Sequence, residues 1–541
     1  MADFSRLSVA LSDASIYNVG LSLGIAVPIF LILRVLIDYA KVLSLRRRMP
    51  PGPFPLPLFG NYFSIPGERP WLKFEEWSTK TYKSPLITIW NGTAPTILCN
   101  DAWSISDLLD KRASIYSSRP RCVLMGDCTG ATTTNQILQP YGDRWRLHRR
   151  LTHAIVGPQN VRTFRPSQSD EANIMLRDMF ETPDKMTDAI GRFACSQASI
   201  IGWGRRIDTV HDQLAALSIP ATEAANFAIP GFYIIETLPF LTRLPAWLFK
   251  MPTELAAGSK LFGKYLWALT EEGGEATFDK NFARLLLQER EKSDLSSNEI
   301  GSLIGNVVGG GLATMTSTTL SFILAMCVFP DVQKKAQAEI DSIVGDGHRP
   351  PSWEDESSMP YVAAVISEVF RWRPVTVLGG MAHAPIQDDV YKGYFIPKGT
   401  AITGNSWAIH RNSRDYPDPE TFRPERFYDG LERPFPIKKG HYAFGWGRRA
   451  CSGQNLAEQA LWITIVRLLW AFNIQPGLDE KGDEIKPDVF AYTNTENSRP
   501  QPFEARFTPR SAKHKQTLLN EAAKSRDALH IFDWESKAKM Q

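Results

Sequence analysis

The spacing of apolar residues predicts helices along most of the chain. Apolar positions recur every three or four residues in long segments, which is the pattern of helices that bury one face in a core. The predicted helices are Glu171–Glu181, Asp188–Ile201, Lys260–Glu272, Asp279–Lys292, Ser297–Val328, Asp331–Val344, Met359–Arg371 and Cys451–Trp470. Strand patterns occur at Leu86–Trp90, Thr96–Leu98, Val390–Phe395 and Thr400–Thr403, with a hairpin turn predicted over Gly393–Gly399. The chain is therefore predicted to be mainly α, with a minor β-sheet region.

A separate apolar stretch lies near the start of the chain. Ile16–Ile37 is almost wholly apolar, and its length of about 22 residues suits a helix that crosses a bilayer. Basic residues follow it, which by the positive-inside rule places the rest of the chain in the cytosol. They are Lys41, Arg46, Arg47 and Arg48. A cleaved signal peptide fits less well, because no small-residue cleavage site follows the stretch. We therefore predict one N-terminal transmembrane helix.

The pattern divides the chain into three parts. Residues 1–50 form the predicted membrane anchor with its basic flank, and a proline-rich spacer begins at Pro50. Residues 51–510 form the globular domain. Residues 511–541 are polar and basic and are predicted to be a C-terminal surface tail, partly helical.

The composition is that of a globular protein with a sizeable core. Of the 541 residues, 43% are hydrophobic and 22% are charged. The formal net charge of +3 does not indicate a nucleic-acid partner, and none is predicted. The cysteines share no CxxC spacing, so reduced thiols are expected rather than a disulfide framework. They are Cys99, Cys122, Cys128, Cys195, Cys327 and Cys451.

The glycine-rich run from His441 to Gly453 surrounds the most informative of these cysteines. Cys451 stands at the predicted start of a helix, where free N–H groups and the helix dipole favour a thiolate. Arg448 and Arg449 are expected to lower the pKa of this thiol further. Cys451 is therefore a candidate metal ligand, and the alternative is an inert structural cysteine in a glycine-rich turn.

The same run resembles the haem-binding signature of the cytochrome P450 family. The matching pattern is Phe444-x-x-Gly447-x-Arg449-x-Cys451-x-Gly453. Three further motifs of the family occur in the expected order, and the resemblance extends from about Pro50 to Arg510. These motifs are Trp145-x-x-x-Arg149, Glu368-x-x-Arg371, and the Phe422–Phe427 segment with Arg426.

The resemblance implies a cytochrome P450 fold and a haem-thiolate catalytic domain over residues 51–510. The implied cofactor is haem b, whose iron takes the axial thiolate of Cys451. The haem propionates need cationic or N–H partners, for which the matching positions are Trp145, Arg149, His383 and Arg449. A generic surface histidine is the alternative for His383. Phe444 is expected to shield the sulfur.

Two further sets of residues take implied roles. Glu368, Arg371 and Arg426 are expected to form a buried structural cluster. Gly309–Thr314 falls where the family has a helix over the haem, and the glycines are expected to make it bulge, unless they serve helix packing. Thr314 is the predicted catalytic residue. Ala313 stands where an acid is usual, so proton delivery stays open among Thr314 with water, Thr316, Ser317 and a substrate hydroxyl.

The expected substrate is a lipophilic small molecule. The sequence around Tyr391–Gly399 resembles that of fungal members of the family involved in secondary metabolism. The resemblance places substrate-facing residues in several segments, and a polar solvent-facing turn is the alternative for Thr493–Glu496. These segments are Pro120–Leu138, Phe227–Phe249, Gly309–Thr316, Val375–Met381 and Tyr492–Asn497.

Electrons are expected from a separate NADPH-cytochrome reductase. No G-x-G-x-x-G dinucleotide motif follows a predicted strand. A basic patch near the glycine-rich run His441–Gly453, called the cysteine loop below, could steer an acidic partner, or it could be a solvated charge run. Its members are Lys438, Lys439, His441 and Arg448. The predicted location is the endoplasmic reticulum membrane, with membrane lipid around a single span and the catalytic domain in the cytosol.

Three functions fit the sequence. The first is a monooxygenase that uses O₂ and the reductase. The second is a haem-thiolate isomerase, dehydratase or atypical oxidative cyclase, which the missing acid at Ala313 keeps open. The third is a haem- or lipid-binding membrane protein without catalysis.

Overall fold

The computed structural model describes residues 25–216, 225–428, 436 and 440–540. Helices dominate, as predicted. The longer ones are α1 (25–46), α2 (Asp143–Val156), α3 (Arg165–Glu181), α4 (Met186–Trp203), α5 (Met251–Gly274), α6 (Phe282–Glu289), α7 (Ser297–Val328), α8 (Pro330–Val344), α9 (Pro360–Trp372), α10 (Gln454–Ala471) and α11 (Ala512–Ala528). Shorter α-helices are Pro70–Glu76, Ala102–Ser106, Ala113–Tyr116, Ala131–Thr134, Ile234–Thr237, Ser406–Ile409 and Glu425–Tyr428.

Helix α7 runs through the centre of the fold. It begins at a capping box, in which Ser296 and Glu299 satisfy each other's backbone N–H groups. Residues Ile300–Leu312 belong to one hydrophobic cluster with α4, α5 and α6. Residues Met315–Cys327 belong to another with α3, α8, α9 and α10. The boundary between the two clusters falls at residues 313 and 314.

Three small sheets complete the fold of the described residues. Their strands are β1 (Leu86–Asn91), β2 (Ala94–Cys99), β3 (Asp389–Tyr391), β4 (Tyr394–Ile396), β5 (Ala401–Gly404), β6 (Phe472–Pro476) and β7 (Ala505–Pro509). β1 pairs antiparallel with β2, which pairs parallel with β5. β3–β4 and β6–β7 are antiparallel pairs, and no strand pattern had been predicted for the second pair.

The predicted strand Val390–Phe395 is in fact a hairpin. The turn falls at Lys392 and Gly393, whose φ angles are +51° and +82°. Two successive residues with positive φ are typical of a tight turn whose twist suits a hairpin. The turn predicted over Gly393–Gly399 was therefore placed too late, since Tyr394–Ile396 is already strand.

The predicted buried charge cluster is present. Arg371 on α9 donates two hydrogen bonds to Glu368, at 2.8 and 2.7 Å. Arg426 lies 3.4 Å from the same carboxylate, and all three side chains are almost fully buried. Arg371 also donates to the backbone carbonyls of His410 and Pro419, at 3.2 and 2.7 Å. The cluster therefore ties α9 to the segment that leads towards the cysteine loop.

The C-terminal segment is not a loose surface tail. Helix α11 packs along α3, and Leu518, Ala522, Leu529 and Phe532 are buried. The prediction that it is partly helical was right. The prediction that it is a surface tail was wrong, because its apolar side closes part of the core.

The N-terminal prediction is described only in part. Residues before Ile25 lie outside the described part of the chain, and α1 spans residues 25–46 with most of its apolar side chains exposed. Among the described residues, α7 is the helix long and apolar enough to span a membrane, and 78% of its apolar window is buried in the protein. Burial of that kind marks α7 as a core helix. The N-terminal membrane span stays a prediction.

Candidate functional site

One cavity brings together Thr314 and the residues predicted to bind the cofactor. Its volume is about 350 Å³, within the usual range for small-molecule sites. Helix α7 and the loop Val375–Met381 supply parts of its wall, and the cysteine loop supplies another. The predicted residues Trp145, Arg149, Thr314, His383, Phe444, Arg449 and Cys451 all line it.

The cysteine loop is shaped by its glycines. Gly445 and Gly447 adopt φ angles of +76° and +58°, which side-chain-bearing residues rarely adopt. A Cβ at Gly447 would lie 2.1 Å from the carbonyl oxygen of Leu109. The backbone N–H of Cys451 donates to the carbonyl of Phe444 at 2.8 Å, which closes the loop and turns the cysteine towards the cavity.

The thiol of Cys451 is less acidic than the sequence indicated. Helix α10 begins at Gln454 rather than at Cys451. The Cys451 side chain is exposed to the cavity, but the surrounding protein desolvates its thiol and raises the thiol's pKa. This effect exceeds the lowering by the N–H groups of Gly453 and Gln454 and by the Arg149 charge. A bound metal cation would supply the missing positive charge, because coordination deprotonates a thiol.

The neighbouring arginines do not act on the sulfur as predicted. Arg448 hydrogen-bonds the hydroxyl of Tyr141 on the exposed side of the loop. Arg449 donates to three backbone carbonyls, and Arg149 is the cation that lowers the pKa of Cys451. The prediction that Arg448 and Arg449 lower this pKa was therefore wrong.

Three arginines instead converge on the cavity without an acidic partner. Arg149 donates to the carbonyl of Ala450 at 2.6 Å. Arg119 donates to the carbonyls of Ile137, Met381 and Ala382, and Arg449 to those of Ser117, Gln136 and Gln139. Among the described residues, no ion pair involves any of the three. Buried charges are normally paired, so this cluster suits an anionic group in the cavity.

The electrostatics agree with that geometry. Desolvation lowers the pKa of Arg119 to about 9. Desolvation also lowers the pKa of Arg449 to about 8, with repulsion from Arg119 and Arg149 adding to it. Arg119 was not predicted from the sequence. No motif marks it, and Arg121 in the same loop is an equal candidate by residue type.

Trp145 and His383 complete this side of the cavity. The Arg449 guanidinium lies 4.3 Å from the centre of the Trp145 ring. His383 is buried, and its Nδ1 lies 3.0 Å from the carbonyl oxygen of Tyr116. Burial, with the charges of Arg119 and Arg449, holds the pKa of His383 well below its usual range. His383 is thus a neutral cavity histidine rather than a surface one.

Helix α7 crosses the cavity without a bulge. It is α-helical throughout Ser297–Val328, so the expected distortion at the glycines is absent. A Cβ at Gly309 or Gly310 would meet nothing within 4 Å, whereas one at Gly311 would make ordinary contact with Ala198. Packing between helices therefore requires glycine at none of these three positions, and Gly310 leaves open space in the cavity.

Some hydroxyl groups of α7 face the cavity, whereas others point into the surrounding protein. The Thr314 hydroxyl donates to the carbonyl of Gly310 at 2.7 Å, on the cavity side. Thr316 is buried and bonds the Leu312 carbonyl, so it does not reach the cavity. Ser317 is buried as well, and neither residue lines the cavity. Thr318, which the sequence analysis overlooked, does line it one turn beyond Thr314.

The segments expected to face a substrate are only partly at the cavity. Pro120–Leu138 contributes Gln136 and Ile137. Gly309–Thr316 and Val375–Met381 contribute several residues each. No described residue of Phe227–Phe249 or Tyr492–Asn497 lines it. Glu496 is buried away from the cavity, so the alternative of a wholly solvent-facing turn is wrong for that residue.

The basic patch is described only at two of its members. Lys438 and Lys439 lie outside the described residues. The His441 ring lies 5.0 Å from that of Phe370, and Arg448 is engaged with Tyr141. The patch therefore stays a prediction.

Comparison with known proteins agrees with the fold and the cavity. The family described as Cytochrome P450 matches residues 50–498. Cytochrome P450 monooxygenase 58 of Postia placenta is 33% identical over 502 residues, covering 90% of this chain and 94% of that protein. Tryptamine 4-monooxygenase of Psilocybe cyanescens is 35% identical over 514 residues, covering 90% of this chain and 98% of that protein. Cytochrome P450 monooxygenase claR of Ampulloclitocybe clavipes is 33% identical, with 87% and 88% covered.

The fold, the cavity and these relatives define a haem monooxygenase. The chain belongs to the cytochrome P450 family and is similar to fungal members throughout its globular part. The family uses haem b with a cysteine thiolate as the axial ligand of the iron. The predicted family, enzyme class and cofactor are thereby confirmed.

Proposed function

We propose that the cavity holds haem b with Cys451 as its axial ligand. The carrying observation is that Arg119, Arg149 and Arg449 line the same cavity as the Cys451 thiol with no described acidic partner. Two haem propionates would supply the absent negative charge, and the iron would take the thiolate. Trp145 would hold Arg449 in place through its ring. His383 could bind a propionate once protonated, which a nearby carboxylate would favour.

Thr314 is the proposed proton-handling residue. Bound haem would supply the activation of dioxygen. The Thr314 hydroxyl would turn from the Gly310 carbonyl and pass a proton from water into the cavity. No Asp or Glu is among the described lining residues, so the structure offers no carboxyl group in place of the one missing at Ala313. Water and the Thr314 hydroxyl are therefore the proposed route.

The proposed substrate is a neutral, lipophilic small molecule of the kind found in secondary metabolism. Val307, Met315, Val375 and Met381 supply apolar wall surface. One relative is named as acting on tryptamine, an amine. A cavity without a described acidic side chain gives no support to a substrate ammonium group, which would need a counter-charge when buried.

The proposed electron source is a separate NADPH-cytochrome reductase, and the proposed location is the endoplasmic reticulum membrane. The apolar residues exposed on α1 support a membrane anchor at this end of the chain. They include Ile29, Phe30, Leu33 and Ile37. The globular domain would then face the cytosol, where the reductase can reach it.

The test combines spectroscopy with product analysis. Reduced protein with carbon monoxide is expected to show the red-shifted Soret band of thiolate ligation, and Cys451→Ser is expected to lose it. Cells that co-express the chain and a reductase are expected to form an oxidised product that depends on NADPH. A Cys451→Ser protein with an unchanged spectrum would overturn the ligand. Product formed without NADPH would favour an isomerase or dehydratase.

A further inference from the structure

Glu496 is a buried carboxyl group that lies just behind the cavity wall. Its residue is 1% exposed, and no described cation contacts it. Its oxygens accept a hydrogen bond from the Gly380 N–H at 2.8 Å and longer ones from the Leu378 N–H at 3.2 and 3.3 Å. Burial without a cation raises the pKa of Glu496 to about 8, and the N–H groups of Gly380 and Leu378 oppose this rise only in part.

The backbone around Gly379 is shaped to receive that carboxyl group. Gly379 and Gly380 have φ angles of +71° and +77°, and successive residues of unusual φ let neighbouring N–H groups converge on one acceptor group. A Cβ at Gly379 would lie 2.6 Å from the ring of Trp446, which belongs to the cysteine loop. The segment Val375–Met381 is thus held between Glu496 on one side and the cysteine loop on the other.

The main chain of Glu496 adds further links. Its carbonyl accepts a hydrogen bond from Val377 at 3.2 Å, and the Ser498 N–H donates to the Val375 carbonyl at 2.8 Å. The backbone N–H of Glu496 donates to the side-chain oxygen of Asn226 at 2.9 Å. Val375, Thr376, Gly379, Gly380 and Met381 all line the cavity. One residue therefore connects the turn at 493–499, the segment Ala225–Ala228 and the cavity wall.

We propose that Glu496 is a positioning residue that sets the shape of the substrate-facing wall Val375–Met381. The inference rests on the proposed function, because this wall faces a substrate only if the cavity holds haem. Removing the carboxyl group leaves the N–H groups of Leu378 and Gly380 without their acceptor. The wall then relaxes, while the cysteine ligand and the arginine cluster keep their own contacts.

Two azole ligands separate an effect on the wall from an effect on the haem. Imidazole is small and reports the iron and its ligand, whereas 4-phenylimidazole must also fit against the wall. Both are titrated into purified holoenzyme while the Soret band is followed. For Glu496→Ala, we expect unchanged haem content, unchanged imidazole affinity and about tenfold weaker 4-phenylimidazole binding, which corresponds to one lost interaction of ordinary strength.

Variants at the same and at a remote position complete the test. Glu496→Gln keeps the shape of the side chain and one acceptor oxygen, so we expect a smaller loss of 4-phenylimidazole affinity. If Glu496→Ala does not retain haem, the affinities of Glu496→Gln test the proposal instead. Glu480→Gln changes an exposed acid after β6 and is expected to match the wild type. Equal weakening of both azoles, or no weakening of 4-phenylimidazole, would overturn the role of Glu496. Wild-type protein that gave no response to imidazole would instead overturn the proposed haem site.

Discussion

Two arginines in one loop show how a residue's role depends on its surroundings. Arg119 turns into the cavity and donates to backbone carbonyls at 2.6–2.9 Å. Arg121 stays exposed and pairs with Asp127 at 2.7 Å. Nothing in the sequence distinguishes them, because their chemistry is the same and neither belongs to a motif. The motif residues Arg149 and Arg449, in contrast, could be singled out before any coordinates.

The arginine pair supplies a matched test of the propionate site. We expect Arg119→Met to lose haem at least tenfold faster, since a charged hydrogen bond contributes about 1.5–3 kcal/mol. Arg121→Met should behave as the wild type, because its partner Asp127 lies outside the cavity lining. The measurement is haem transfer to apomyoglobin, followed by absorbance. Equal loss rates for the two variants would exclude Arg119 as a propionate partner.

The threonines of α7 allow a similar comparison. Thr314→Val removes the hydroxyl that faces the cavity, and Thr316→Val removes one that is buried against the Leu312 carbonyl. We expect the first change to lower product formed per NADPH consumed by about tenfold or more, as loss of a proton-transfer group does. The second should leave this ratio unchanged. NADPH consumption and product are measured together with the reductase present, and an unaffected Thr314→Val enzyme would contradict the assignment.

At the scale of elements, long amphipathic or apolar helices were predictable and short pairings were not. The bounds of α7 match the prediction, because a capping box marks its start and Pro330 follows its end. β6 and β7 were missed, since their pairing joins segments about thirty residues apart and depends on contacts that no local pattern contains. The expected bulge in α7 is absent, and the two halves of the helix lie in separate hydrophobic clusters.

Glu299 at the start of α7 links that helix to α2. Its carboxylate accepts hydrogen bonds from Arg144 at 2.6 and 2.7 Å and from the Ser296 N–H at 3.0 Å. These donors lower the pKa of Glu299 to about 2, although burial opposes them. Since α2 carries Trp145 and Arg149, this contact helps to place the side of the cavity proposed to bind the propionates.

The lowered pKa predicts how stability depends on pH. The folded pKa is below the ordinary value of 4.5, so the stabilisation is complete above about pH 5 and is lost as pH falls towards 2. Glu299→Gln is expected to cost about 2 kcal/mol at pH 7, and the difference from wild type should shrink at pH 4. Urea unfolding at both values measures this, with the exposed Glu291→Gln as control. A difference that did not change between the two pH values would contradict the ionised role.

At the scale of the whole molecule, the C-terminal segment is part of the folded body. Phe532 contacts Phe278 edge to face, at 5.0 Å between ring centres, and joins a small cluster with Ile174 and Ile200. The Trp534 indole donates to the carbonyl of Gly204 at 3.0 Å. These contacts reach α3 and α4, far from α11 in sequence. A polar composition concealed them, because a few apolar residues on one face are enough to bury that face.

The packing of this segment predicts that substitutions at two neighbouring residues differ greatly in their effect on stability. Phe532→Ala is expected to cost about 3 kcal/mol of stability, as removal of a buried aromatic ring does. Ile531→Ala should have little effect, because Ile531 is 47% exposed. Thermal unfolding of the two holoenzymes, monitored by circular dichroism, gives the comparison. Equal unfolding temperatures would mean that the segment contributes nothing to the stability of the body.

The sequence alone determined the fold class, the family and the cysteine loop, because long helices, glycine spacing and ordered motifs are local patterns. It also named residues that share one cavity. Only the tertiary structure decided that Arg119 joins them and that Glu496 is buried against the cavity wall. It also decided that Thr316 and Ser317 do not reach the cavity and that the last helix is docked. Each of these features depends on which distant segments pack together. That packing, rather than the residue type, determines whether a side chain is buried and which groups it contacts.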